Sequence, residues 1–131
     1  MHYFAIGLKK YSQFYGRSPR KEYNYFVLFS IILSFLVILL SPIFGLLIFN
    51  DDQENATFLM LGIIIFFTII ITIPAIALTA RRLHDLGYSG WFQLLYLVPI
   101  LNLGFFLLFF KRGNVGENKY GSDPLNHKLM S

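Results

Sequence analysis

FLMLGIIIFFTIIITIPAIALT, residues 58–79, is a run of 22 residues without a charged side chain. A helix needs about 20 mainly apolar residues to cross the roughly 30 Å hydrocarbon core of a bilayer. Two further apolar segments, at about 25–49 and 91–110, lie on either side of this run. The whole chain is 56% hydrophobic and 18% aromatic, more than a soluble domain of 131 residues can bury. We therefore predict an all-α fold, that of a small polytopic membrane protein.

The first two apolar segments are expected to be transmembrane helices, but the third, residues 91–110, is compatible with two structures. Its length matches a single span. Pro99, Asn102 and Gly104 fall in its middle, however, and divide it into halves of about 10 residues, a length typical of re-entrant segments. The sequence leaves open a single span and a re-entrant helical hairpin.

The segments outside the apolar runs are too short to bury a core of their own, so we predict a single integral-membrane domain over residues 1–131. Its polar parts are an N-terminal segment, 1–22, and a C-terminal tail, 111–131. In the first of these, Phe4 and Leu8 begin an apolar pattern at helical spacing. The pattern predicts a short amphipathic helix in the headgroup layer, with a frayed terminus as the alternative.

The placement of charge predicts the orientation in the membrane. Residues 1–22 carry five Lys and Arg, whereas the connector at 50–55 carries three acidic residues and no basic one. Because basic residues are retained on the cytoplasmic side, we expect the N-terminus of this multi-pass protein in the cytoplasm. A hairpin at 91–110 would place all eleven basic residues on that side.

Local signals predict where the helices begin, break and end. Ser18 followed by Pro19 is typical of a helix start with Ser18 as the N-cap. Pro42 in the first apolar segment predicts a kink or an early helix end near Ser41. Gly87, which follows the second segment and its charged end, is a candidate C-cap.

Three sequence blocks also resemble a known family. GRSPRKEY (16–23), RRLHDLGYSGW (81–91) and GENKYGSDP (116–124) are similar to the signature blocks of the YhaH-like bacterial inner-membrane proteins, domain of unknown function 805. Residues 24–25, Asn-Tyr, stand where that family usually has a tryptophan. The resemblance covers nearly the whole chain, and it implies a bacterial plasma (inner) membrane protein without an established activity.

These blocks are expected to place polar side chains together at the cytoplasmic end of the bundle. We expect four residues to bind anionic lipid headgroups or a phosphate: Arg17, Arg20, Arg81 and Arg82. We expect six more to form a structural polar cap: Glu22, His84, Asp85, Asn118, Tyr120 and Asp123. Pairing of Arg81 or Arg82 with Asp85 or Glu22 would connect helix ends. A purely structural use of this end and a recognition use both stay open.

The sequence favours a non-enzymatic role in membrane organisation, or in contact with a partner or with lipid headgroups through the Arg-rich cytoplasmic end. The alternatives are an oligomeric transporter or channel component, or a membrane enzyme that uses His84 and Asp85. Adjacent helical residues point about 100° apart, so these two side chains do not form an oriented catalytic dyad.

We expect membrane lipids as partners, and a homo-oligomer or a larger membrane partner, because a lone three-helix unit has little room for a core. No cofactor, metal ion or nucleic acid is expected. The chain has no cysteine, and its three histidines share no recognised ligand spacing. Cytoplasmic retention of basic residues already accounts for the net charge of +4.

Overall fold

The computed structural model describes residues 9–50, 52–98 and 110–125. Two long α-helices dominate this part of the chain: α1 spans Arg20–Phe49 and α2 spans Gln53–Asp85. A 3₁₀ helix follows at Gly90–Leu97. Within the described residues there is no β-strand, and one isolated bridge pairs Asn118 with Gly121. The predicted all-α fold is confirmed.

Both α-helices are long and apolar enough to cross a membrane. At 1.5 Å per residue, their 30 and 33 residues extend over about 45 and 50 Å, more than the roughly 30 Å of hydrocarbon. Only 11% of the most apolar window of α1 and 6% of that of α2 is buried in the protein. Apolar surface exposed on this scale is stable in lipid rather than in water. Because both helices are longer than the hydrocarbon is thick, the charged residues at the start of α1 and at both ends of α2 can lie outside it.

The chain divides into two compact units, one formed by residues 27–73 and the other by residues 1–26 together with 74–131. The first unit contains the turn between α1 and α2. The second contains the start of α1, the end of α2, the 3₁₀ helix and the tail. The single domain expected from the sequence stays a prediction.

In the unit 27–73, the connector is shorter than the predicted 50–55. Asn50 adopts a φ of 51°, the left-handed conformation that commonly follows the end of a helix. Asp52 caps α2: its carboxylate accepts the N–H of Asn55 at 3.2 Å, and its carbonyl accepts the N–H of Ala56 at 3.1 Å. This cap lets α2 begin at Gln53, so the helix includes the last three residues of the predicted connector.

Of the kink or early helix end predicted near Ser41, the early end is wrong, because α1 continues through Pro42 to Phe49. Pro42 has no N–H, so the carbonyl four residues earlier, at Ile38, loses its usual helical donor. The buried hydroxyl of Ser41 donates to this carbonyl at 3.5 Å. The hydroxyl therefore offers a long, weak bond to this carbonyl in a region where water cannot supply one.

Gly45 lies at a close approach of α1 and α2 within the unit 27–73. A Cβ atom at this position would lie 2.7 Å from the carbonyl oxygen of Ala56. Small residues allow the backbones of membrane helices to come together in this way. Because the obstructing atom belongs to the backbone, it cannot rotate aside as a side chain could.

We expect Gly45→Ala to lower the free energy of unfolding by about 1–3 kcal/mol, since the added methyl group overpacks this contact. Gly62→Ala is the matched control, because a Cβ at Gly62 meets nothing within 4 Å. Unfolding by dodecyl sulfate in mixed micelles, followed by circular dichroism, measures both variants. Equal stability of the two would contradict the close approach at Gly45.

In the second unit, α1 begins one residue later than predicted. The carbonyl of Pro19 accepts the N–H of Tyr23 at 3.3 Å, so Pro19 takes the N-cap position that the sequence suggested for Ser18. The N–H of Ser18 instead donates to the carbonyl of Arg81 at 3.1 Å. This bond ties the start of α1 to the last turns of α2. The amphipathic pattern predicted near the N-terminus runs from Phe4 to Tyr15. Residues 1–8 lie outside the described part of the chain, and residues 11–15 form turns and irregular structure instead of a helix.

The C-cap predicted at Gly87 is confirmed. Gly87 has a φ of 84°, and its N–H donates to the carbonyl of His84 at 3.0 Å. The N–H of Tyr88 donates to the carbonyl of Leu83 at 2.9 Å. Together these two bonds form a Schellman motif, which satisfies the last carbonyls of α2 and turns the chain towards the 3₁₀ helix.

Both ends of the third apolar segment lie beside the last turns of α2. At its start, a Cβ on Gly90 would lie 3.1 Å from the Cβ of Ala80. At its end, Arg82 donates to the carbonyl of Lys111. A straight helix over 91–110 would hold its ends about 30 Å apart, which does not fit the contacts of the described residues at both ends; the hairpin stays a prediction. Residues 99–109, with the predicted break, lie outside the described residues.

Candidate functional site

Five charged side chains are buried together where the segment before α1, the first turn of α1 and the last turns of α2 meet. We call them the buried charge cluster: Arg17, Glu22, Arg81, Arg82 and Asp85. Their side chains are between 0 and 8% exposed. Charged groups this deeply buried are rare unless they are paired.

Asp85 is the centre of the cluster because it pairs with two arginines from different parts of the chain. Arg17 approaches one carboxylate oxygen, with Nε and Nη2 each 3.0 Å from Oδ1. Arg82, three residues earlier on α2, donates from Nη1 to the other oxygen, Oδ2. Both oxygens of Asp85 are therefore engaged by guanidinium groups, which makes this carboxylate an anchor rather than a free proton acceptor.

The same two arginines also bind the backbone of the tail. Nη1 of Arg17 donates to the carbonyl of Gly116 at 2.6 Å and to that of Gly121 at 3.3 Å, and Nη2 donates to the carbonyl of Asn114. Arg82 donates from Nη2 to the carbonyl of Lys111. A guanidinium group has five donors in a fixed plane, so it can bond a carboxylate and several carbonyls at once.

Glu22 and Arg81 form the second ion pair of the cluster, between the first turn of α1 and the end of α2. Nη1 of Arg81 lies 3.5 Å from Oε1 of Glu22. Nε and Nη2 of Arg81 are buried and have no hydrogen-bond partner among the described residues. With three guanidinium groups and two carboxylates, the cluster keeps one positive charge.

Asp123 carries a negative charge that offsets this excess. Its Oδ1 accepts the N–H of Leu125 at 2.9 Å, and its Oδ2 accepts the N–H of Gly116 at 3.1 Å. The bond from Leu125, then the bond from Gly116 and the positive charges of Arg17 and Arg112, hold the pKa of Asp123 below its ordinary value. The carboxylate therefore stays ionised near neutral pH and shapes the tail around Arg17.

His84, Asn118 and Tyr120 form a second set of contacts between α2 and the tail. The ring of His84 stacks on that of Tyr120, with centroids 3.9 Å apart and an angle of 10° between the planes. Nδ2 of Asn118 donates to the carbonyl of His84 at 3.0 Å. Nδ1 of His84 lies 3.2 Å from the carbonyl of Gly16. His84 and Asp85 thus bind different partners and form no catalytic dyad with each other.

The arginines expected to bind headgroups or phosphate differ in exposure. Arg17, Arg81 and Arg82 are buried in the cluster, whereas Arg20 is exposed on the first turn of α1. The guanidinium groups of the first three contact carboxylates and carbonyls of the same chain. A role for any of the four in binding headgroups stays a prediction.

Two tail residues that complete the site were not among the predicted site residues. A Cβ on Gly113 would lie 2.0 Å from Oδ2 of Asp85, so the tail can pass this carboxylate only where there is no side chain. The N–H of Asn114 donates to the carbonyl of Asp85 at 2.8 Å. Gly and Asn here are typical of turns, and turn propensity alone does not show which helix the turn contacts.

Metal binding is not indicated in the part of the chain that the structure describes, where no group of three or more His, Asp and Glu side chains could hold an ion. The polar groups at this end act on one another, through ion pairs and bonds to backbone carbonyls. Chemically, the arrangement is suited to holding three segments together at the membrane surface.

Comparison with known proteins gives one family for almost the whole chain. A family model described as "Protein of unknown function (DUF805)" matches residues 11–122. The inner membrane protein YhaH of Escherichia coli (strain K12) is 35% identical over 125 residues, covering 95% of this chain and 97% of the relative. The inner membrane protein YhaI of the same strain is 36% identical, covering 95% and 96%. No solved structure matches this chain.

Proposed function

This chain belongs to the DUF805 family, and from that premise we propose that it is a non-enzymatic inner membrane protein whose rigid cytoplasmic end binds anionic lipid headgroups. Its inner-membrane location follows from its relatives and its two apolar helices. The names of these relatives give an inner-membrane location and no activity. The proposal concerns what the polar end of the molecule does there.

The observation that supports this proposal is the separation of basic residues into a buried and an exposed set. The buried arginines neutralise Asp85 and Glu22 and hold the tail in place. The exposed set also includes Lys9 and Lys10, and within it we call five residues near the ends of the apolar segments the basic platform: Arg20, Lys21, Lys111, Arg112 and Lys119. The cluster thus fixes the positions of the segments that carry the basic platform, and the exposed side chains of the platform can face the bilayer.

The basic platform has the charge and the place needed to attract anionic lipids. Its residues follow or precede apolar segments, so they are expected at the depth of the headgroups. Each Lys or Arg near an anionic surface contributes about 1 kcal/mol of attraction. We further propose that a second copy or a larger membrane protein covers part of the apolar helix surface, since little of it is buried within one chain.

We expect the platform to enrich phosphatidylglycerol around the protein. In reconstituted bilayers of phosphatidylcholine and phosphatidylglycerol, spin-labelled lipids report which headgroup contacts the protein. Replacing Arg20, Lys21, Lys111 and Arg112 with Gln is expected to lower the preference for the anionic lipid at least fivefold, which corresponds to at least about 1 kcal/mol. The preference should also fall at high salt.

The matched control is the double variant Arg20→Lys with Arg112→Lys, which keeps every charge and should keep the preference. An unchanged preference in the glutamine variant would contradict the proposal. Loss of preference in the lysine control as well would point to bidentate arginine contacts instead of surface charge.

A further inference from the structure

A cavity of about 490 Å³ lies beside the buried charge cluster, between the segment before α1, the end of α2 and the 3₁₀ helix. We call it the interfacial cavity. Small-molecule sites in proteins usually have volumes of about 300–1,000 Å³ and combine apolar walls with a few polar groups. Its walls are aromatic and aliphatic side chains: Phe14, Tyr15, Trp91, Ile76 and Ala80.

The polar groups of the interfacial cavity come from His84, Ser89 and Gln93. Among the described residues that line it, none carries a permanent charge. A phosphate or carboxylate would need a guanidinium or ammonium group in the wall to offset its desolvation. The cavity therefore suits an uncharged ligand, which distinguishes it from the basic platform.

His84 determines which hydrogen-bonding group such a ligand must carry. The carbonyl of Gly16 can only accept a hydrogen bond, so the neutral imidazole carries its proton on Nδ1 and donates it there at 3.2 Å. Nε2 is then a hydrogen-bond acceptor. Gly90 lies beside this atom, and a Cβ there would be 3.3 Å from it, so the glycine leaves that side of Nε2 uncovered.

The walls also indicate the shape and source of the ligand. Three aromatic rings favour a planar, ring-shaped head, which can stack against them. Tyr15 is 89% exposed and Trp91 is 77% exposed, so the cavity opens towards the exterior at the depth where interfacial aromatic residues lie. A molecule dissolved in the bilayer can enter from there.

We propose that the interfacial cavity binds a lipophilic molecule with an uncharged, hydroxyl-bearing aromatic head, of the quinol or phenol class, whose O–H donates to Nε2 of His84. The apolar chain of such a molecule remains in the bilayer. Binding requires no charge on the ligand and no reaction, so this site is separate from the headgroup contacts proposed above.

Trp91 provides the measurement, because it is the one tryptophan in the chain and lines the cavity. The full-length protein in nanodiscs is titrated with an alkyl hydroquinone and, separately, with the dimethyl ether of the same compound. We expect a saturable change in Trp91 fluorescence with the hydroquinone and about tenfold weaker binding of the ether, which cannot donate to Nε2. A non-saturable change, or equal affinity for both probes, would overturn the proposal.

Two variants at His84 distinguish the contact of Nδ1 with Gly16 from the contact of Nε2 with the ligand. Asn places an N–H near the position of Nδ1 and can keep the bond to Gly16, whereas Gln places its amide near the position of Nε2. We expect His84→Asn to weaken hydroquinone binding about tenfold and His84→Gln to weaken it much less. Ile76→Phe narrows the cavity at an exposed wall position and should weaken both probes. Hydroquinone affinity unchanged in His84→Asn would refute the role of Nε2.

Discussion

Asp85→Asn is expected to lower the free energy of unfolding by about 3–5 kcal/mol. The change is nearly isosteric, but it leaves Arg17 and Arg82 buried without the carboxylate that both contact. Removing one partner of a buried pair is costly because the remaining charge is neither solvated nor neutralised. Dodecyl sulfate unfolding in mixed micelles measures the loss.

The matched control for this prediction is Asp52→Asn. Asp52 is exposed and caps α2, and asparagine caps a helix about as well as aspartate does. We therefore expect little change in the control. Wild-type stability in Asp85→Asn would show that the two arginines do not depend on this carboxylate.

Gly113→Ala is expected to lower the free energy of unfolding by about 3 kcal/mol and to detach the tail from α2. The new methyl group would overlap Oδ2 of Asp85, which cannot move away because Arg82 holds it. Relief requires the tail to shift, and a shift breaks the bonds from Arg17 to the tail carbonyls. Trypsin should then cleave more rapidly after the exposed Lys119, as mass spectrometry of the digest would show.

Ser122→Thr is the control, since it also adds one methyl group to the tail but at an exposed residue. It should be cleaved at the wild-type rate. Equal cleavage rates in Gly113→Ala and wild type would mean that the tail does not depend on close passage along Asp85.

The sequence predicted the long helices well because many apolar residues contribute to each prediction. Runs such as 58–79 contain so many apolar residues that no single side chain decides the outcome. Gly87 could be identified as a C-cap because a glycine directly after a helix has one common use. Ser18 is not the N-cap, because the first helical bond is accepted by the carbonyl of Pro19, and the bond from Ser18 N–H to the carbonyl of Arg81 is a tertiary contact that local preference does not contain.

The sequence predicted that charged residues of distant segments lie together at one end of the molecule, but it did not determine which of them pair. Sequence spacing brought Arg81 and Arg82 equally within reach of Asp85, and packing decided that Arg82 contacts it while Arg81 contacts Glu22. The sequence also could not predict which arginines are exposed, because the residue type is the same for an arginine buried in an ion pair and for one that faces solvent. Gly113 was missed because its importance lies in the atom that it lacks.

We expect the buried charge cluster to hold the N-terminal segment, the end of α2 and the tail on one face of the membrane. The chain has no native cysteine, so single cysteines introduced at the exposed positions Arg20, Glu54 and Val115 can be labelled with an impermeant maleimide. In inside-out membrane vesicles we predict labelling at 20 and 115 but not at 54, and the reverse in right-side-out vesicles. The account would be contradicted if the cysteines at positions 115 and 54 were labelled in the same vesicles and the cysteine at position 20 only in vesicles of the other orientation.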